Sequence, residues 1–276
     1  MTQPSDSRVA SSSANAAATY VFAVCRSTRA MSALDVTGVA GMPGGAAVRL
    51  LPSGLLTAVV QTVPAADFTD EVWQRRLSDR EETERYARAH HAVVSAMATH
   101  GPVVPLPLAT LYHDDDRARS RLADEADRFH TALKRVAHHA EWGVKVYRPL
   151  APEPDPAAGA PAPEAAGGRA PGAGLAYLNR KRGAQARREK LREQALDVAE
   201  SVDAELRGLA AASRRLRTHG AALSGDQRVH VLNATYLVAD ERANEVGRLV
   251  AALGERTGAQ IELSGPWVPY SFVGEV

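Results

Sequence analysis

The 276-residue sequence predicts an α+β protein with two domains. Short runs of β-branched and aliphatic residues alternate with long amphipathic helical patterns, which indicates sheets covered by helices. Hydrophobic residues form 45% of the chain but aromatic residues only 5%, as expected for a core built mainly on Ala, Val and Leu. A stretch dominated by Pro, Ala and Gly interrupts these patterns at residues 149–174. We therefore predict an N-terminal α+β domain at 19–137 and a second domain at 138–276.

The N-terminal segment opens with residues 1–18, which are rich in Ser and Ala and lack packing residues, so we predict a disordered tail. Thr19 to Cys25 then reads as a strand. Four glycines fall at positions 38–45, but no Gly-Lys-Ser/Thr follows them, and a connecting loop is favoured over a phosphate-binding loop. Residues 47–51 and 55–63 predict a β-hairpin. Cys25 is the chain's one cysteine, so an internal disulfide is excluded and a small strand residue is favoured over a nucleophile.

Two helical patterns complete the predicted N-terminal domain. The first covers 66–99 and stops at Gly101-Pro102. An extended segment at 103–112 contains two prolines, which predicts an edge or a bend. Asp114 to Asp116 then open a second helix that runs to about His139. Three carboxylates could bind a divalent cation, but capping of free N–H groups is the favoured interpretation at a helix start.

The second domain alternates strands with helices. A strand at 141–147 precedes the Pro/Ala/Gly insert, which we predict to be flexible and partly polyproline-like. A long helix at 180–217, a strand at 229–239, a helix at 242–256 and a strand at 259–263 follow. This β-α-β-α-β order predicts a ferredoxin-like domain with long helices on one face of an antiparallel sheet.

No catalytic or metal-binding motif emerges from the sequence. Nine histidines include the adjacent pairs 90–91 and 138–139, but adjacent residues point about 100° apart on a helix and do not chelate as His-x-x-x-His would. No Gly-x-Ser-x-Gly elbow is present. We therefore expect a protein that is not an enzyme and holds no cofactor or metal. An enzyme with a scattered site stays open as a hypothesis.

Net charge and hydropathy limit the classes of partner that the chain is expected to bind. The formal net charge is +1, so bulk charge does not indicate nucleic acid or an anionic membrane. No stretch approaches the roughly 20 apolar residues that span a bilayer. Seven cations lie within residues 180–192 against one acid, Glu189, and this basic stripe could contact nucleic acid. A solvated helix end is the favoured interpretation, and nucleic-acid binding remains the alternative function.

A segment rich in aromatic residues, and too apolar to stay solvated, lies at residues 259–273. Trp267, Tyr270 and Phe272 fall within six positions beside two prolines, so this segment requires a hydrophobic surface to lie on. That surface is either the chain's own core or a partner. The candidate partner-binding residues are taken from this segment and from the proline-bearing one before it: Val103, Val104, Leu106, Leu108, Trp267, Tyr270 and Phe272. For Trp267 and Phe272 individually, closure of the chain's own core is favoured.

Several of these segments also carry a family resemblance. They are Leu175 to Lys181 before the long helix, Glu141 to Lys145 before the insert, the segment 103–110, and above all Gly-Pro-Trp-Val-Pro-Tyr-Ser-Phe at 265–272. Over about residues 19–273 the sequence resembles the gas vesicle protein F/L family (GvpL/GvpF). The tail and the long insert depart from the family pattern.

That resemblance implies a cytosolic accessory or minor structural protein of gas vesicles. It implies an α+β N-terminal domain and a ferredoxin-like C-terminal domain. The implied partners are the small hydrophobic gas vesicle shell protein, bound during vesicle assembly, and other gas vesicle proteins.

Overall fold

The first sheet is centred on β1 (Ala17–Arg26), whose residues between the two ends are all buried. The computed structural model describes residues 16–149, 173–218 and 228–274. Most of the predicted tail and of the 149–174 insert therefore lies outside the described residues. The strand begins two residues before its predicted start at Thr19.

The elements around β1 follow the predicted order, apart from a short helix at Arg29–Ser32 that was not predicted. They are α1 (Arg29–Ser32), β2 (Arg49–Ser53), β3 (Leu56–Pro64), α2 (Asp70–Ser78), α3 (Arg80–Ala98), β4 (Val103–Pro105), β5 (Leu111–Tyr112), α4 (Asp115–Asp124) and α5 (Ala126–Val136). The strands form an antiparallel sheet in the order β2-β3-β1-β4, and β5 also pairs with β1. β2 and β3 are the predicted hairpin, and β4 is the predicted edge.

Side chains of the first sheet point alternately to two apolar clusters, as expected for a strand buried on both faces. Tyr20, Phe22 and Val59 belong to one cluster, which includes the α3 residues Tyr86, Val93, Val94 and Met97. Val21, Val24 and Val60 belong to the other, which includes Leu122 of α4 and Leu133 of α5. The sheet is therefore enclosed by helices on both faces.

The second sheet and its two helices follow in the chain. They are β6 (His139–Pro149), α6 (Ala173–Leu209), β7 (Ala212–Arg215), β8 (Arg228–Ala239), α7 (Ala243–Thr257) and β9 (Gln260–Trp267). Its strand order is β7-β8-β6-β9. One apolar cluster joins the strands to both helices, with Val144 and Val146 of β6, Val202 and Leu206 of α6, and Val246 and Leu253 of α7.

Contacts within the chain divide it into two units. One comprises residues up to Glu141 together with those from Pro266 onward, and the other comprises 142–265. By its contacts the segment after Gly265 therefore belongs with the first unit, although the sequence assigned it to a domain at 138–276. The domains 19–137 and 138–276 stay a prediction as independently folding units.

The helix predicted at 180–217 is wrong at its C-terminal end. It stops at Leu209, and residues 212–215 form β7, which pairs antiparallel with β8. Strand pairing with β8 replaces the helix here, and Arg215 forms ion pairs back to α6, with Asp203 at 2.6 Å and with Glu200 at 2.7 Å. Asp203 is buried and also accepts a hydrogen bond of 2.6 Å from the Tyr236 hydroxyl.

Two predicted helices are each divided in two. The 66–99 pattern is broken at Asp79, whose carboxylate accepts hydrogen bonds from the N–H groups of Glu81 and Glu82 and so caps α3. The 114–139 pattern is broken at Glu125 and ends at Val136. Asp114 caps α4, as predicted, by accepting a hydrogen bond of 2.7 Å from the Arg117 N–H.

The glycine-rich segment at 38–45 is a loop whose backbone is hydrogen-bonded to the buried side chain of Gln61. Gln61 Oε1 accepts a hydrogen bond of 2.7 Å from the Met42 N–H, and Nε2 donates one of 2.6 Å to the Ala46 carbonyl. Gly41 and Gly45 leave room for this amide, because an added Cβ would lie 2.5 and 2.4 Å from its atoms. The interpretation as a connecting loop is confirmed.

Candidate partner-binding surface

The aromatic arm, residues Pro266–Gly274, packs across the first unit. Val268 contacts the apolar cluster on the α3 side of the sheet, and Val273 is buried in the cluster on the α4 and α5 side. Phe272 is 3% exposed, and the Arg135 guanidinium lies 6.0 Å from the centroid of its ring. The inner side of the arm therefore closes the unit's own core.

A buried carboxylate holds the middle of the arm. Glu141 accepts a hydrogen bond of 2.8 Å from the Ser271 N–H and a second, short one from the Ser271 hydroxyl. Hydrogen bonds to a charged group are stronger than those between neutral groups. Glu141 therefore fixes both the backbone and the side chain of Ser271.

The outer side of the arm is exposed. Trp267 is 49% and Tyr270 is 36% exposed. Both contact His91 on α3, at 5.9 Å between ring centroids in each case. The Tyr270 hydroxyl also lies 3.4 Å from His91 Nδ1. These contacts place two aromatic rings and an imidazole side by side at the surface.

The predicted proline-bearing segment lies at the edge of the first sheet. Val103 and Val104 are buried in β4, on opposite sides of the sheet, while Leu106 and Leu108 are only partly buried. The Leu106 N–H donates a hydrogen bond of 2.9 Å to the Phe22 carbonyl. This bond ties the segment to β1 just beyond the end of β4.

Hydrogen bonds among buried polar groups also hold the proline-bearing segment in place. The Tyr20 hydroxyl accepts a hydrogen bond of 3.1 Å from the Ala109 N–H and lies 2.9 Å from His90 Nδ1. The tautomer of His90 sets which of the two groups donates in this hydrogen bond. The pKa of His90 is lowered to about 4, mainly because the ring is buried; the Leu106 backbone opposes the shift and the neighbouring His91 adds to it.

Two shallow apolar depressions flank Tyr270. The larger, about 310 Å³, is lined by residues of α3 and of the proline-bearing segment: Ala87, His90, His91, Leu106, Pro107, Leu108 and Tyr270. The smaller, about 160 Å³, is lined from the α5 side: Val104, Pro105, Leu106, Pro107, Arg128, Phe129, Tyr270, Val273 and Gly274. Tyr270, Leu106 and Pro107 line both and form the ridge between them.

We define the apolar surface as the exposed or partly exposed residues around this ridge: His91, Leu106, Pro107, Leu108, Trp267 and Tyr270. Four of the seven candidate residues from the sequence belong to it, and Val103, Val104 and Phe272 are buried instead. Whether these residues bind a partner stays a prediction. His91 was not among the residues predicted for this surface, although the 100° turn between adjacent helix residues indicates that His90 and His91 cannot both face the core.

Other candidate sites are occupied by structural contacts. The Cys25 thiol is buried and donates a hydrogen bond of 3.3 Å to the Thr57 carbonyl, and burial raises its pKa to about 12, which suppresses the reactive thiolate. Asp115 accepts hydrogen bonds from Thr19 at 2.8 Å and from Arg49 at 2.7 Å. Within the described ranges no group of three or more His, Cys, Asp or Glu could hold a metal ion.

The basic stripe lies on the N-terminal half of α6. Its described cations are all exposed: Lys181, Arg182, Arg187, Lys190 and Arg192. Among the described residues, no helix combines the length and the apolarity that crossing a membrane requires.

Comparison with known proteins identifies what the chain is similar to. Residues 18–274 match the model of the family described as gas vesicle synthesis protein GvpL/GvpF. Gas vesicle protein L from Streptomyces sp. (strain CB03234) is 40% identical over 255 residues, which are 92% of each chain.

Two solved structures share the fold at low sequence identity. The crystal structure of GvpF from Anabaena sp. PCC7120 matches with a TM-score of 0.65 and 11% identity over 94% of this chain and 97% of that one. The crystal structure of GvpF from Microcystis aeruginosa matches with a TM-score of 0.61 and 13% identity over 94% and 99% of the two chains.

Proposed function

Because the chain belongs to the GvpL/GvpF family of gas vesicle proteins, we propose that it binds the small hydrophobic shell protein and supports gas vesicle assembly. In this role it is an accessory or minor structural protein located in the cytoplasm and at the gas vesicle. It works with other gas vesicle proteins and has no catalytic activity.

The apolar surface is the observation that supports this proposal. Trp267 and Tyr270 are partly exposed, and Tyr270 and Leu106 line both depressions. Exposed aromatic residues next to shallow pockets are typical of the energetic centres of protein interfaces. An apolar subunit could bury its side chains in the two depressions without entering the core.

The backbone around Pro105 and Pro107 favours side-chain contacts over strand addition. The two prolines have no N–H group, and the N–H of Leu106 between them is bound to the Phe22 carbonyl. An added strand would require free backbone donors along this edge. The surface therefore suits a partner that inserts side chains, such as the apolar face of a helix.

The architecture of residues 142–265 fits the implied ferredoxin-like domain. Its elements run β-α-β-β-α-β, with the strand order β7-β8-β6-β9. β7 supplies the strand that was missing from the order predicted from the sequence. We propose that this unit is the ferredoxin-like domain of the family.

Co-expression of the full chain with its host's shell protein, followed by pull-down, tests the proposal. Trp267→Ser combined with Leu106→Ser should lower retention of the shell protein at least tenfold, since loss of a central aromatic anchor costs 2 kcal/mol or more. Leu55→Ser is the matched control, because Leu55 is 75% exposed in the β2–β3 turn, away from the apolar surface. Failure of the folded wild-type chain to retain the shell protein would exclude direct shell binding.

Nucleic-acid binding by the basic stripe is the alternative function, supported by the exposure of its described cations. Binding to RNA should then weaken steeply with salt, and Lys190→Glu with Arg192→Glu should reduce the salt slope by about two. Absence of salt-sensitive binding to any RNA probe by filter retention would exclude this alternative.

A further inference from the structure

The proline-bearing segment offers few backbone donors to a partner. Pro105 and Pro107 have no N–H group. Three further N–H groups of the segment donate within the chain: Leu106 to the Phe22 carbonyl, Ala109 to the Tyr20 hydroxyl and Thr110 to the Pro107 carbonyl. Five of the six positions 105–110 therefore have no N–H group free to pair with another chain.

A partner on the apolar surface must therefore satisfy its own backbone. The residues that line the two depressions are mainly apolar, so an extended segment lying there would lose water from its N–H and C=O groups without gaining partners. An α-helix pairs these groups internally and presents only side chains. Leu106, Pro107 and Tyr270 form the ridge between the depressions, so a helix that crosses the ridge can place one apolar side chain in each.

Arg128 adds a charge at the smaller depression. Among the residues that line either depression, it alone is an Arg, Lys, Asp or Glu. Its guanidinium lies 2.6 Å from Glu125, which also pairs with Arg121 at 2.6 Å, so two cations share one carboxylate. These side chains are partly exposed, and such ion pairs contribute little to stability. Arg128 can therefore bind a carboxylate of a partner at small cost.

We propose that the occupant of the apolar surface is an amphipathic helix that lies across the ridge. It places an apolar side chain in each depression, and a carboxylate beside its apolar stripe binds Arg128. This inference rests on the proposed function for the statement that the surface binds a partner, and it adds the chemistry of that partner. Because no Arg, Lys, Asp or Glu lines the larger depression, the carboxylate distinguishes one end of the bound helix from the other.

Labelled synthetic helices, added to the full chain, test the inference. The first peptide is alanine-based, with leucines at i, i+4 and i+7 and a glutamate at i+8. The second has the same composition with its leucines spread over all faces. Fluorescence anisotropy should show roughly tenfold tighter binding of the first peptide, since only its leucines can enter both depressions together. Equal affinities, or no binding of the first peptide at millimolar protein, would overturn the inference.

Two substitutions on α3 assign the binding to the depressions. Ala87→Trp, at an exposed position that lines the larger depression, fills it without altering the core. It should weaken binding of the first peptide about tenfold, since a leucine side chain loses its site. Ala92→Trp, exposed on the same helix and outside both depressions, should leave binding unchanged. Equal binding by the two folded variants would place the peptide elsewhere and overturn the inference.

Arg128→Gln tests the carboxylate. Replacement of the peptide's glutamate by glutamine should weaken binding to the wild-type chain about threefold and should not alter binding to Arg128→Gln. An equal effect on both proteins would overturn the contact with Arg128. The peptides do not involve the shell protein, so a failed shell-protein pull-down beside face-selective peptide binding would contradict the proposed function alone. Retention of the shell protein without that selectivity would contradict this inference alone.

Discussion

Ala109 occupies a backbone conformation that its side chain disfavours. Its φ is 64°, in the left-handed region, where an L-residue costs roughly 1–2 kcal/mol. The conformation persists because the Ala109 N–H donates to the Tyr20 hydroxyl and the neighbouring Thr110 carbonyl accepts a hydrogen bond from Val21. Local strain here is balanced by bonds to the central strand.

We predict that Ala109→Gly stabilises the protein by about 0.5–1 kcal/mol, since relief of strain exceeds the added entropy of the unfolded chain. Ala109→Val is the matched opposite and should destabilise it, because a β-branched residue tolerates positive φ poorly. The midpoints of urea unfolding measure both changes. Equal midpoints for the Gly and Val variants would contradict the strain assigned to Ala109.

His90 makes stability depend on pH. Its pKa falls from 6.5 in the unfolded chain to about 4 in the folded one, mainly because it is buried. The unfolded state therefore binds the proton more readily, and the stability present above pH 6.5 is lost as pH falls toward 4. Between pH 7.5 and 5 this single group should lower the free energy of unfolding by about 2 kcal/mol.

Replacement of His90 isolates this effect. His90→Gln removes the titration and should flatten the loss between pH 7.5 and 5, even if it lowers stability at neutral pH. His100→Gln, at an exposed position just beyond α3, is the control and should keep the wild-type slope. Urea unfolding at the two pH values gives the comparison, and identical slopes for all three proteins would be inconsistent with a buried neutral His90.

The sequence indicated which apolar residues belong to the site but not which of them are buried and which are exposed. Phe272 and Trp267 belong to one aromatic segment, yet one ring is buried and the other half exposed. Glu141 and Arg135, which decide this difference, lie more than 120 positions away in the sequence. Composition shows that a segment requires an apolar surface, but the distribution of its side chains depends on distant partners.

At the scale of elements, local signals account for most boundaries. Ser78-Asp79 followed by Glu82 has the spacing of a helix-capping box, so the division between α2 and α3 could have been found from the sequence. The end of α6 could not have been found from the sequence. Residues 210–216 favour a helix by propensity, and they pair as β7 only because β8 and the Asp203 carboxylate are beside them.

The glycine-rich loop gives a prediction at this scale. In Gly45→Ala the new Cβ would lie 2.4 Å from Gln61 Nε2 and would displace the amide that bonds the loop backbone. Leaving buried backbone groups unpaired costs about 1–3 kcal/mol each, so we expect a loss of roughly 2–4 kcal/mol. Gly38→Ala is the matched control, since nothing lies within 4 Å of its Cβ. Thermal unfolding should show a large loss for Gly45→Ala and almost none for Gly38→Ala.

The contacts of Asp203 give a second prediction about secondary-structure elements. Asp203 is buried and joins Arg207 at 2.9 Å, Arg215 at 2.6 Å and the Tyr236 hydroxyl at 2.6 Å. Both arginine side chains are about half exposed, so Asp203→Ala leaves the buried Tyr236 hydroxyl as the unpaired group, and we predict a loss of about 1–3 kcal/mol. Hydrogen exchange should show reduced protection in β7 and β8. Asp197→Ala, at an exposed position of α6, should leave that protection unchanged.

At the scale of the whole molecule, the apolar surface combines exposure with rigidity. Its aromatic residues are held by contacts with α3, and its leucines by a segment fixed to β1. A surface that is ordered before binding loses little conformational entropy when a partner arrives. This property favours the proposed binding of an apolar subunit.

In cells that form gas vesicles with this chain, Trp267→Ser with Tyr270→Ser should therefore reduce vesicle yield. Loss of about 2 kcal/mol of binding free energy weakens the complex about 30-fold, which leaves more of the shell protein unbound during assembly. Pressure-sensitive light scattering of intact cells measures the yield, and the variant's melting temperature shows whether it is folded. Leu77→Ser removes an exposed leucine of α2 that lies outside the apolar surface, so it should support normal yield. Equal yields for a folded double variant and for Leu77→Ser would mean that the chain acts in vesicle formation through another surface.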